Sequence, residues 1–72
     1  MLTVTVLDSQ GPTTYHSSIF AASYDIEDRL GADLPQSLPP REIRSRLFAG
    51  SELWILTRSG REIHVFGQEV TR

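Results

Sequence analysis

The stretch from Leu53 to Phe66 constrains this chain more than any other. Leu53-Trp54-Ile55-Leu56-Thr57-Arg58 and Arg61-Glu62-Ile63-His64-Val65-Phe66 flank the pair Ser59-Gly60. Two runs rich in β-branched and aromatic residues around Ser-Gly predict a β-hairpin, because glycine reaches the positive φ angles of tight turns. A two-residue turn sets position 58 opposite 61, 56 opposite 63 and 54 opposite 65. Trp54, Leu56, Ile63 and Val65 then share one face, which the rest of the chain is expected to cover. Leu53, Ile55 and Phe66 fall on the opposite face with Thr57, Glu62 and His64, an unusually apolar set for a solvated surface.

The other elements follow from changes of period. Leu2-Thr3-Val4-Thr5-Val6-Leu7 alternates apolar residues and threonine, the pattern of a half-buried strand with Leu2, Val4 and Val6 inward. The turn formers Asp8 to Pro12 follow, and Thr13 to His16 can return as a short second strand. From Ser17 the apolar spacing becomes three and four, through Ile19, Ala22, Ile26 and Leu30. A helix is expected over about 18–30, capped by Ser17 or Ser18 and ended at Gly31. Three prolines interrupt residues 35–40, and Pro40 suits the start of a second helix over about 40–49, with Ile43 and Leu47 inward and Gly50 as its stop. The predicted fold class is α+β: a small antiparallel sheet, made of an N-terminal strand or hairpin and the hairpin over 52–66, packed by two helices.

Length and charge limit what such a domain can do. At 72 residues the chain forms one domain, 1–72, and hides only about 60% of its unfolded surface. Without cysteine, neither a disulfide nor a thiolate metal site is possible, so packing or a partner must supply stability. No apolar run approaches the roughly 20 residues that cross a bilayer, and no leader pattern opens the chain; a soluble, cytoplasmic, unprocessed protein is expected. The net charge of −2 argues against a general nucleic-acid binder. The charge is also divided: residues 1–40 carry five acids against Arg29 alone, whereas 41–72 carry six arginines against four glutamates.

Catalytic and metal constellations are not evident. His16 and His64 stand alone in separate strands without metal-ligand spacing, so no metal and no cofactor is expected. No G-x-S-x-G elbow presents a nucleophile, and the helical carboxylates lack an apolar setting that would raise a pKa. Two surfaces remain. Tyr24, Asp25, Glu27 and Asp28 on the outer side of the first helix, with Asp33 beyond it, form a candidate acidic protein-binding face, anchored by Tyr15, Phe20 or Tyr24. Arg41, Arg44, Arg46, Arg58 and Arg61, with Trp54, form an alternative nucleic-acid platform in which arginine grips phosphate and the ring stacks a base.

A compact cysteine-free α+β format, the acidic patch Tyr24-Asp25-Ile26-Glu27-Asp28 and the hairpin from Leu53 to Phe66 together resemble the small proteins that phages and mobile elements direct against host defences, above all the anti-CRISPR proteins. That class shares no motif, so no residue role carries over. The resemblance implies inhibition by binding, with the protein seated on a CRISPR effector subunit and blocking target DNA or nuclease recruitment without chemistry. A non-enzymatic protein-binding module, docking through the acidic helix over 18–30 and the exposed part of the hairpin, is thus the leading expectation. The alternatives are a nucleic-acid-binding regulator and a self-associating protein, the last through the second hairpin face or an unpaired strand edge.

Overall fold

The computed structural model describes residues 1–50 and 52–69. Strands β1 (Leu2–Asp8) and β2 (Thr14–His16) are followed by helix α1 (Ile19–Leu30), a single 3-10 turn at Gly31–Asp33 and helix α2 (Pro40–Gly50). The chain closes on β3 (Glu52–Leu56) and β4 (Glu62–Glu69). The four strands form one antiparallel sheet in the order β2-β1-β4-β3, so the first and last strands pair at its centre. The expected α+β class is what forms.

Both helices begin and end as their sequences dictate. Ser18 caps α1, its Oγ accepting a 3.1 Å hydrogen bond from the Ala21 N–H. Gly31 ends it at φ 51°, a positive value that glycine tolerates, with its N–H donating to the Glu27 carbonyl. Pro39 accepts from the N–H groups of Glu42 and Ile43 at 2.9 and 3.1 Å, and Pro40 opens α2 without wasting a donor. Ile19, Ala22, Ile26 and Leu30 from α1 and Ile43 and Leu47 from α2 then meet Val4, Val6, Leu53, Ile55, Ile63 and Val65 from the sheet. All the buried aliphatics of the sheet lie on one face, and the helices cover that face alone. Leu38 is also buried and Leu34 partly so, which ties the proline-rich connection to the core.

The hairpin corrects the expected register. Its loop has three residues, Arg58-Ser59-Gly60, closed by a 2.9 Å bond from the Thr57 N–H to the Arg61 carbonyl and a 3.1 Å bond from the Gly60 N–H to the Thr57 carbonyl. Gly60 adopts φ 87°, as a type I turn with a following left-handed residue requires. One extra loop residue shifts every cross-strand pair, so Ile55 faces Ile63, Leu53 faces Val65 and Trp54 faces His64. Leu53 and Ile55 enter the core, whereas Trp54 and Leu56 stand 68% and 65% exposed on the far side. The exchange buries aliphatic side chains that need no polar partner and leaves the indole N–H in water. Asp33 fixes the loop from outside: its carboxylate accepts from the Ser59 hydroxyl at 2.6 Å and the Ser59 N–H at 3.2 Å. Those bonds hold its pKa below the ordinary carboxylate value.

Candidate functional site

Asp8, at the end of β1, gathers the chain's most enclosed charges. Its side chain is fully buried and takes both arms of the Arg61 guanidinium, Nε at 2.9 Å on one oxygen and Nη2 on the other. Arg29, from the last turn of α1, adds a 3.0 Å bond from Nη1. Arg29 also donates to the Pro12 carbonyl at 2.6 Å, to Thr14 Oγ1 at 2.8 Å and to Asp25 from Nε at 2.8 Å. Asp25 in turn accepts from the Thr14 hydroxyl at 2.5 Å and meets His16 Nε2 at 2.8 Å. One connected clasp therefore joins β1, β2 and α1 to Arg61, the residue that leads into β4.

The acids of the clasp are held ionised. Arg61 is the main cause of the strongly lowered pKa of Asp8, which overcomes the opposing effect of burial with help from the Gln10 N–H and Arg29. For Asp25 burial is the largest influence and pushes the pKa up, but hydrogen bonds from Arg29, Thr14 and His16 together outweigh it and leave the value at about 2. Gly11 is part of the same construction, since a Cβ there would lie 2.7 Å from Asp8 Oδ2.

Thr14, His16 and Asp25 superficially suggest a hydroxyl-histidine-acid relay. In such a relay the nucleophile and the acid occupy opposite ring nitrogens. Here Thr14 Oγ1 at 3.2 Å and Asp25 Oδ2 at 2.8 Å both lie on Nε2, and the carboxylate is already bound to Arg29. The clasp joins elements; it does not present a nucleophile.

The sequence-derived acidic face is only partly assembled. Tyr24 and Asp28 are exposed on α1, and Glu27 sits beside them, 3.7 Å from Arg44. The Arg44 guanidinium also lies 5.7 Å from the Tyr24 ring centroid. Asp25, expected on the exposed face, instead turns into the clasp because Arg29 lies one helical turn further along at i+4. Asp33 is occupied by Ser59. Phe20, 51% exposed, meets Phe48 of α2 edge to face at 5.3 Å beside this surface.

The five arginines do not form one platform. Arg61 belongs to the clasp, Arg44 to Glu27, and Arg46 pairs with Glu42 at 3.2 Å within α2. Arg41 is exposed at the start of α2 and Arg58 at the hairpin tip. Trp54 lies on the side of the sheet away from the helices, so it cannot stack a base held by the α2 arginines.

The sequence reading expected an exposed hairpin face and set Phe66, Glu62 and His64 on it, but put Leu53 and Ile55 there in place of Trp54 and Leu56. Across β1, β4 and β3 the register lines up Leu7, His64 and Trp54; the next row holds Tyr15, Thr5, Phe66 and Glu52. Trp54 stacks flat on His64, with centroids 3.6 Å apart and planes 6° from parallel, and His64 lies 5.0 Å from Phe66. Glu52 fixes the imidazole from the β3 side at 3.0 Å. Tyr15 and Leu7 are 70% and 39% exposed. With Leu56 they extend the apolar surface, and Leu7, Ser9, Thr13, Trp54, Glu62 and His64 line a shallow depression in it. The alternation Trp54-x-Leu56 was the available signal, but its outward direction depended on the loop length.

Among the described residues no group of three or more metal-ligating side chains converges, and no helix is long and apolar enough to cross a membrane. No family model matches the chain, and no curated protein or solved structure matches it either.

Proposed function

We propose that this protein is a non-enzymatic protein-binding module that docks through the open face of its sheet. The observation that carries the reading is that the helices cover one face only, leaving Trp54, Leu56, Tyr15 and Leu7 exposed together on the other. Contiguous exposed apolar side chains on a small domain mark an interaction surface, and aromatic anchors supply most of the affinity in such surfaces. Glu52 and Glu62 stand on the β3 side of this face, while Arg41, Arg44 and Arg46 belong to the helical side. That charge arrangement favours a protein with an apolar patch flanked by basic groups over a nucleic acid.

The narrower form of the proposal is an inhibitor of the anti-CRISPR type, which would occupy a basic surface of a CRISPR effector subunit and exclude target DNA or nuclease by its bulk. Phage plating on cells with an active CRISPR system tests it directly. Expression of the protein should restore plating, and Trp54→Ser with Leu56→Ser should abolish the restoration at equal protein level. Plating that stays blocked across CRISPR types removes the inhibitor reading. Binding of purified effector subunits that survives the double substitution removes the open face as its site.

A further inference from the structure

The edge of the sheet beside Trp54 carries a second and independent feature. The bonded pair Thr57 and Arg61 fixes the alternation along the hairpin: Ile55 and Leu53 exchange hydrogen bonds with β4, whereas Glu52, Trp54 and Leu56 direct their N–H and C=O groups away from it. The bonds from the Ser9 N–H to the Glu62 carbonyl and from the Glu62 N–H to Ser9 Oγ agree, since they spend the Glu62 backbone on the β1 side. β3 is the last strand of the sheet, and its outer groups have no hydrogen-bond partner among the described residues. Protected edges are shortened, bulged, or interrupted by proline or lysine. β2, at the other edge, is three residues long with Thr14 and His16 drawn into the clasp. β3 pairs through five residues without a bulge or a proline, and Glu52 at its start is its one charged residue.

We infer that β3 pairs with β3 of a second copy of this chain, antiparallel about a two-fold axis at Ile55, to make a continuous eight-stranded sheet. The side chains select this register. Laid against itself about Ile55, the segment Glu52-x-Trp54-x-Leu56-x-Arg58 sets Glu52 opposite Arg58 of the second copy, Trp54 opposite Leu56, and the reverse on the other side of the axis. Trp54 and Leu56 carry outward backbone groups, as a bonded antiparallel pair requires; Arg58 lies beyond the strand, in the loop, and its long side chain is what would reach Glu52 across the axis. Arg58 is exposed and makes no ion pair among the described residues; the Glu52 side chain is 59% exposed, with His64 as its internal partner. Registers displaced by two and by four residues lose this match: a two-fold at Trp54 sets Glu52 against Leu56, and one at Leu53 sets it against Trp54. The pairing is tested with purified protein alone, so its failure is distinguishable from that of the docking reading, with which it shares the hairpin register and the side chains of Trp54 and Leu56.

Sedimentation velocity over a concentration series from micromolar to millimolar tests it. The chain should pass from monomer to dimer. Glu52→Arg and Arg58→Glu should each weaken the dimer about tenfold, because each alters two symmetry-related pairs, and the double exchange should restore it. Hydrogen exchange on the unmodified protein gives a second reading that does not depend on how a variant folds: the Trp54 and Leu56 amides should be protected at high concentration and released on dilution. A monomer at every concentration, single variants that leave the dimer intact, or a double exchange that fails to restore it each overturns the pairing.

Discussion

The charged clasp and the open sheet face are built on the same strands, yet they satisfy their side chains in opposite ways. At the clasp, Asp8, Asp25, Arg29 and Arg61 find their partners within the chain and are largely withdrawn from water. On the open face, Trp54, Leu56 and Tyr15 each remain more than half exposed, beside a strand edge without a partner among the described residues. Internal satisfaction confers stability without association; unsatisfied apolar surface and free backbone groups confer association at little benefit to the monomer. The difference suits the first region to holding the fold and leaves the second as the surface on which binding is proposed.

Substitutions should separate the two regions by size of effect. Arg29→Ala leaves the buried Asp8 and the adjoining Asp25 short of their shared cation and should lower unfolding free energy by about 3 kcal/mol in a urea titration. Trp54→Ser should change it by less than about 0.5 kcal/mol. Equal losses from the two would erase the distinction. Helix α1 repeats the contrast within one turn: Asp25→Arg should cost about 2 kcal/mol through lost hydrogen bonds, whereas Asp28→Arg, on the exposed face, should be close to neutral. Charge reversal of the outer face is therefore informative only when Asp25 is spared.

Gly11→Ala should cost about 1–2 kcal/mol, because its methyl would press on the Asp8 carboxylate and loosen the Arg61 pair without removing either charge. Acid probes the same carboxylates in the native sequence. Asp25 titrates at about 2 in the folded protein against 3.8 ordinarily, and Asp8 is lowered in the same direction. The unfolded chain therefore takes up protons first, so this stabilisation is complete above about pH 5 and falls away as the pH drops toward 2. The acid-induced loss should shrink in Asp25→Asn and persist unchanged in Trp54→Ser; a native protein whose stability is flat across that window would contradict the clasp.

The fold was legible where local chemistry decides structure. Ser18, Gly31 and Pro40 mark helix ends through hydrogen-bonding and φ preferences that act within a few residues, and the Leu2-to-Leu7 alternation names its own buried face. The functional surfaces were less legible because they depend on long-range choices. A Ser-Gly pair serves a two-residue loop or the end of a three-residue one, and the clasp of Asp33 on Ser59, 26 positions away, favours the longer. That single residue exchanges Trp54 for Leu53. The charged clasp was hidden for a similar reason: Asp8 and Arg61 are 53 positions apart, and only pairing of the first strand with the last brings them together. Asp25 was assigned to the surface by its helical position, and the i+4 arginine that draws it inward was the overlooked local cue.

Everything proposed for the open face rests on the hairpin register, and Trp54 reports it alone because it is the only tryptophan in the chain. Fluorescence of the dilute native protein, with acrylamide as collisional quencher, is the most direct measurement. A three-residue loop predicts red-shifted, water-like emission and quenching nearly as efficient in the native as in the urea-unfolded state. Blue-shifted emission shielded from acrylamide would place the indole in the core, return Leu53 and Ile55 to the surface, and contradict both the docking face and the Glu52–Arg58 pairing drawn from it.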